Sequence, residues 1–160
     1  MLILQMKIIT NTKQLISIVN SKNLDLSFIP TMGGLHKGHL SLITKAKKKK
    51  LKTLVSIFVN PAQFNNINDF KKYPRNINKD IIILKKINPD FLFMPKKKDL
   101  FKNKRINNIK LGKFSKYLCG KYRRNHFTGV VDVIDRFLKI INPLYIFLGE
   151  KDYQQLILIK

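Results

Sequence analysis

A single cysteine, Cys119, leaves no partner for an intramolecular disulfide, as expected of a reducing compartment. No stretch of 18 consecutive apolar residues occurs, so no membrane span is predicted. The apolar start, residues 1–9, lacks a basic segment before it and a small-residue cleavage site after it. It reads as a first strand rather than a secretion signal, and the expected location is cytoplasmic. Internal repeats and low-complexity linkers are also missing, so residues 1–160 read as one domain. Acidic side chains are scarce: nine Asp and Glu stand against 32 Lys and Arg, giving a formal charge of +23.

That charge would ordinarily direct attention to nucleic acid or to an anionic membrane. Its make-up argues otherwise. There are 27 Lys, 22 Ile and 15 Asn, all read from A/T-rich codons, against five Arg and no Trp. A surface built for phosphate backbones favours Arg and concentrates it on one element, whereas these lysines are spread through the chain. Base-composition drift accounts for them, and neither nucleic acid nor membrane is an expected partner. Against that background the exceptions carry information. All three histidines (His36, His39, His126) fall in motif-like segments, and Glu150 is the only glutamate. Three of the five glutamines (Gln63, Gln154, Gln155) sit at or just beyond the ends of predicted strands.

Hydrophobic patterning alternates between strands and helices. Strands are predicted at residues 24–29, 53–59, 90–94 and 144–148, with a weaker candidate at 105–111. Helices are predicted at 10–20, from about 38 to 50, at 77–87, along the 130–141 apolar stripe, and from 150 onward. This order means an α/β fold with a mostly parallel sheet flanked by helices. In such sheets ligands bind beyond the carboxyl ends of the strands, and four distinctive segments fall there.

The most informative is Pro30-Thr31-Met32-Gly33-Gly34-Leu35-His36-Lys37-Gly38-His39. Strand, glycine turn and helix in succession place unpaired amides and a helix dipole where an anion would sit. His36 and His39, three apart, project from one face of the first helical turn. Two imidazoles there can donate hydrogen bonds to a triphosphate and to the charge developing as pyrophosphate leaves. The plain alternative is a tight turn with two surface histidines. The other three segments are Asn60-Pro61-Ala62-Gln63-Phe64, Pro95, and Gly149-Glu150-Lys151-Asp152.

Together with Lys72-Tyr73-Pro74-Arg75, Arg123-Arg124-Asn125-His126-Phe127-Thr128-Gly129-Val130 and the continuation to Gln154-Gln155-Leu156, these segments resemble the pantothenate synthetase (pantoate–β-alanine ligase) family. The resemblance runs over about residues 24–160. It implies a Rossmann-like nucleotidyltransferase domain, with ATP, pantoate and β-alanine as small-molecule substrates joined through a pantoyl-adenylate. Met32, Gly33, Gly34, Leu35, His36, Lys37, Gly38 and His39 would form the ATP-binding turn, with His39 as proton donor. Gly149, Glu150, Lys151 and Asp152 match the second ATP segment, with Lys151 toward the phosphates and grouped with His36 and His39 as catalytic.

Gln63 matches a glutamine that holds pantoate and borders the β-alanine site, and Gln155 matches a second pantoate ligand. A glutamine amide suits a hydroxy acid because it donates and accepts without neutralising the nucleophile. Asp80 is the candidate Mg²⁺ contact, set against the plain reading of a solvated exposed aspartate. Arg123 and His126 are expected to line the entrance, and Lys121 and Arg124 to be ordinary surface charge. Two positions depart from the family: Cys119 replaces an acidic residue, and Arg124-Asn125 a Pro-Gly-like turn.

The family continues beyond the last residue here with a strand, a Ser-Ser-Arg-Asn phosphate segment and a C-terminal domain, and commonly forms a homodimer. Absence of those parts from residues 1–160 implies marginal folding, a tendency to associate and poor turnover. Two other readings stay open: a non-catalytic remnant that binds ATP or pantoate weakly, and a different adenylyltransferase using the same H-x-G-H turn.

Overall fold

Asparagine starts and stops many of the helices. The computed structural model describes residues 5–102, 110–123 and 125–160. Strand β1 (Lys7–Ile9) leads to α1 (Thr12–Lys22), where Asn11 Oδ1 accepts from the amides of Lys13 and Gln14 at 2.8 and 3.3 Å. Then follow β2 (Leu26–Thr31), α2 (Lys37–Lys47), β3 (Lys52–Ile57) and a 3₁₀ turn at Pro61–Gln63. Helices α3 (Ile67–Lys72) and α4 (Ile77–Ile87) are capped by Asn66 and Asn76, which accept from Asp69 and Lys79 at 2.8 and 3.0 Å. The chain continues through β4 (Phe91–Phe93), α5 (Lys97–Leu100), a 3₁₀ turn at Lys113–Lys116, α6 (Cys119–Tyr122) and α7 (His126–Ile141). It closes with β5 (Tyr145–Ile146), a 3₁₀ turn at Glu150–Asp152 and α8 (Tyr153–Ile159). Helices α1, α4 and α7 end on Asn23, Asn88 and Asn142 at φ of 43, 50 and 44°. Asparagine tolerates the left-handed region where glycine is the usual choice, and this chain has only seven glycines.

The five strands form one parallel sheet in the order β1-β4-β3-β2-β5. Period-two alternation sends neighbouring residues to opposite faces. Phe28, Leu54 and Phe93 join one core with Leu15 of α1 and Val130, Ile134, Phe137 and Ile141 of α7. Ile29, Val55 and Leu92 join the other with Ile43 and Ala46 of α2 and Leu84 of α4. The result is three layers, helix–sheet–helix. The Phe137 ring meets Phe28 and Phe93 edge-on at 5.4 and 6.1 Å. Each such fully buried side chain contributes about 1.5–3 kcal/mol of transfer free energy.

The predicted α/β class therefore holds, with differences in detail. The second helix stops at Lys47 because residues 48–50 must turn the chain back toward β3, with Lys50 at φ 59°. Lys47 Nζ then donates to the carbonyls of Ile87 and Asn88 at 2.7 and 3.0 Å, closing the end of α4. The strand expected at 144–148 pairs only through Tyr145 and Ile146. Of the weaker strand candidate, residues 105–109 lie outside the described residues, and Lys110 and Leu111 are in no strand. Residues 1–4 of the expected first strand and Arg124 also lie outside them. Among the described residues, no helix is long and apolar enough to cross a membrane.

Strand order reverses between β2 and β5: from β2 the chain moves to β3 on one side, while β5 arrives on the other. A crevice opens at the carboxyl ends of such a pair. The segments following these two strands carry His36 and His39, at the cap and first turn of α2, and Lys151 and Asp152, in the last 3₁₀ turn.

Candidate active site

The turn after β2 is tightly constrained. Thr31 Oγ1 donates to the Ser56 carbonyl (2.7 Å) and accepts from the Gly33 amide (3.2 Å). Gly33 and Gly34 lie at φ +80 and +63°, and a Cβ on Gly33 would stand 2.9 Å from Asp80 Oδ2 and 3.2 Å from the Ile57 side chain. Asp80, the candidate Mg²⁺ contact, is buried, which sets aside the plain reading of a solvated exposed aspartate. It shares a face of α4 with Leu84, which packs toward the sheet. Its Oδ2 accepts from the Gly34 amide at 2.9 Å and its Oδ1 from the Leu35 amide at 2.8 Å. The sequence leads one to expect turn amides open to an anion. Those of Gly34 and Leu35 already serve one. Met32 is half-buried, Leu35 buried and Gly34 exposed.

His36 is the N-cap of α2, and its Nδ1 accepts from the Gly38 amide at 3.1 Å. With that lone pair in use, the ring proton belongs on Nε2 and faces outward as a donor. Gly38 permits this fold-back, since a Cβ there would lie 2.9 Å from His36 Cε1. The His36 and His39 rings are 4.2 Å apart at 40°, on one face as their spacing predicts. Burial, then His36 and Lys151, hold the His39 imidazole below its usual value, while Asp80 and Asp152 pull the other way. Near neutrality His39 is therefore the uncharged ring, able to donate one N–H. Its Nδ1 is buried without a hydrogen-bond partner among the described residues. Lys37 is exposed at the first helical position.

Gln63 is buried in the 3₁₀ turn beyond β3, and that turn is docked on α7. Asn60 Nδ2 donates to the Gly129 carbonyl (2.9 Å), and Asn60 Oδ1 accepts from the Ala62 amide (3.2 Å). Backbone meets backbone here: a Cβ on Gly129 would come within 2.5 Å of the Ala62 carbonyl oxygen. His126, expected at the entrance, is instead buried, and its Nδ1–H donates to the Gln63 carbonyl at 2.7 Å. Burial lowers its pKa and Arg123 adds to this, against the Gln63 bond and Asp152. Arg123 lines an open cleft of about 380 Å³ with Phe64, Asn65, Asp69, Lys72 and Tyr73.

The second segment follows β5. Gly149 precedes the 3₁₀ turn, and Glu150, Lys151 and Asp152 are exposed on it. Asp152 raises the pKa of both His39 and His126, against the lowering by burial. Gln155 is half-buried in the first turn of α8. Its neighbour Gln154 is buried, with Nε2 donating to the carbonyls of Phe114 and Tyr117 (both 2.8 Å) and Oε1 accepting from the Cys119 amide (3.0 Å). Sequence reasoning marks Gln154 only as unusual, and Asn60 and Gly129 only as motif letters. Their shared signal is a residue type rare for its setting: an amide or a glycine inside an apolar helix or at a strand end.

A smaller cavity of about 210 Å³ lies beside the turn, between Met32, Gly33, Phe58, Asp80 and Met94. Among the described residues no group of three or more His, Cys, Asp or Glu could hold a metal. Asp80, the candidate Mg²⁺ contact, has both carboxylate oxygens engaged by amides.

The family described as Pantoate-beta-alanine ligase matches residues 5–160. The pantothenate synthetase of Francisella tularensis subsp. novicida (strain U112) is 48% identical over 159 residues, covering 97% of this chain and 60% of the relative. The pantoate-beta-alanine ligase of F. tularensis, solved with beta-gamma ATP and beta-alanine, aligns at a TM-score of 0.90 with 46% identity, over 96% of this chain and 60% of that one. The pantothenate synthetase of Thermus thermophilus gives 0.88 and 32%, over 96% and 55%. The chain spans about three fifths of the length of the curated relatives it matches.

Proposed function

We propose, since the chain belongs to the pantoate–β-alanine ligase family, that it carries the adenylate-forming half of that ligase's site and acts on ATP, pantoate and β-alanine. What supports this reading is that the paired His36 and His39 rings follow β2 while Lys151 and Asp152 follow β5, the two strands at the sheet's reversal point. Lys151 and Asp152 both bear on the His39 titration. In this reading the nucleotide phosphates lie between the α2 N-terminus and Lys151, and Mg²⁺ arrives with ATP as part of the substrate.

The pantoate carboxylate attacks the α-phosphorus, forming the acyl–phosphate C–O–P link as the bond to pyrophosphate breaks. Charge growing on the departing pyrophosphate is met by Lys151 and by N–H donors of His36 and His39. The His39 ring, uncharged near neutrality, contributes a positioned hydrogen bond while Lys151 contributes the charge. Gln63 and Gln155 would hold pantoate, one from the docked 3₁₀ turn and one from α8. The β-alanine amine then attacks the acyl carbon, and AMP leaves. A cytoplasmic setting and a homodimeric state belong to the same proposal and rest on the family resemblance.

Pantoate-dependent exchange of labelled pyrophosphate into ATP tests the adenylation step. Exchange is expected in this chain, and His39→Ala should reduce it by on the order of 10²-fold or more with the thermal midpoint nearly unchanged. Absence of exchange would overturn the reading; an unchanged rate in His39→Ala would remove that histidine from it.

A further inference from the structure

We infer that Asp80 is a positioning residue of the nucleotide site, an internal anion that fills the glycine turn and directs phosphate to the start of α2. Two successive amides, Gly34 and Leu35, converge on its carboxylate at 2.9 and 2.8 Å from a backbone bent through positive φ at Gly33 and Gly34. Consecutive N–H groups in such a bend form an anion-binding concavity. Here the occupant is supplied by α4, 45 residues away, and is only 3% exposed. The absence of a Cβ at Gly33 is what lets Oδ2 approach so closely.

Two consequences follow for a phosphate. The Gly34 and Leu35 amides have no donor left to offer it, and the carboxylate repels a second anion from the same place. At the start of α2, the Gly38 amide is held by His36 Nδ1 and the Leu40 amide by the His36 carbonyl. Those bonds leave the amides of Lys37 and His39, together with His36 Nε2 and Lys151, as the phosphate-facing donors. Asp80 thereby fixes both the shape of the turn and the register of the triphosphate along it. The identity of the routed ligand rests on the nucleotide reading above; the clamp on the two amides does not.

Amide exchange and MgATP titration of the ¹⁵N-labelled chain test both parts. Without nucleotide, the Gly34 and Leu35 amides should exchange at least about 10²-fold more slowly than an open turn. On adding MgATP, the Lys37 and His39 amides should shift while the protection of Gly34 and Leu35 stays as it was. Asp80→Asn keeps the size but only one acceptor oxygen. It should free one of the two amides and weaken MgATP about tenfold, leaving pantoate affinity within about twofold, which a general loss of structure would not do. Asp80→Ala should free both amides. Should either variant fail to fold, the exchange pattern of the unaltered chain decides. Free exchange of Gly34 and Leu35 that slows only when MgATP binds would overturn the proposal. If MgATP shifts no resonance, the nucleotide reading falls, and the protection of the two amides alone decides the positioning role.

Discussion

Replacing Gly129 by alanine is a severe test of how Gln63 is held. Alanine is ordinarily the better helix residue, by about 1 kcal/mol, so a free position in α7 would be stabilised. Gly129 is not free. Its added Cβ would lie 2.5 Å from the Ala62 carbonyl oxygen, 2.7 Å from the Ala62 carbonyl carbon and 3.0 Å from the Gln63 amide nitrogen. All three are backbone atoms, so no side chain can swing aside. Either α7 or the 60–64 segment must move, at a cost of about 1–3 kcal/mol for such overpacking. Movement also stretches the Asn60 Nδ2 bond to the Gly129 carbonyl, worth about 1 kcal/mol. The net expectation is a loss of about 1–3 kcal/mol, which for a chain of this size lowers the thermal midpoint by about 3–10 °C. Circular dichroism melting reads that directly, and calorimetry with pantoate reads the displacement of Gln63 as weaker binding. A Gly129→Ala variant that melts at or above the wild-type temperature would refute the contact.

Acid should destabilise the fold through two histidines, the buried His126 and the half-buried His39. His39 and His126 are both held below the ordinary value of 6.5, so the unfolded chain takes up protons first. The stability they contribute is complete above about pH 7.5, declines as pH falls through about 6.5, and levels off below their folded values. Urea midpoints across that range should flatten when both are replaced by glutamine, and an unchanged profile would contradict the assignment. Gln154→Leu strips partners from the Phe114 and Tyr117 carbonyls and the Cys119 amide, a loss of about 2–4 kcal/mol given their partial exposure. Limited proteolysis should then cut first within residues 112–122; cleavage elsewhere would show that Gln154 does not hold that segment. Asn142→Gly should be neutral or slightly stabilising because φ is 44°, whereas Asn142→Val should cost about 1–2 kcal/mol, measured by thermal melting.

Legibility follows sequence distance. Strands β2 and β3 are buried at nearly every position, with Leu26, Phe28, Ile29, Leu54, Val55 and Ile57 marking them in the sequence, and α4 is delimited by Asn76 and by Asn88-Pro89. The H-x-G-H turn and the Gly149–Asp152 segment can be placed near one another because both follow strands of a parallel sheet. The long-range partnerships cannot. Nothing near Asp80 announces that its acceptors meet amides 45 and 46 residues back. A lone carboxylate among lysines looks solvated until the fold brings it a donor. His126 reads as an entrance residue for the same reason: its partner, the Gln63 carbonyl, is 63 residues away. The strand order β1-β4-β3-β2-β5 is likewise a choice among pairings that local patterns leave equal.

The two halves of the cleft stand on unequal footings. The histidine half grows from β2, which is registered with β3 over six residue pairs. The lysine half grows from β5, registered with β2 over two. Only the Leu144 amide to the Leu26 carbonyl (2.9 Å) and the Phe147 amide to the Phe28 carbonyl (2.8 Å) flank that short ladder. Local opening thus costs far less on one wall than on the other. A ligand spanning both walls is anchored by the firm one and, by mass action, holds the loose one shut. The lifetime of the closed cleft is then set by ligand concentration, and β5 with α8 should exchange amide hydrogens as one unit whose rate falls as the ligand is raised.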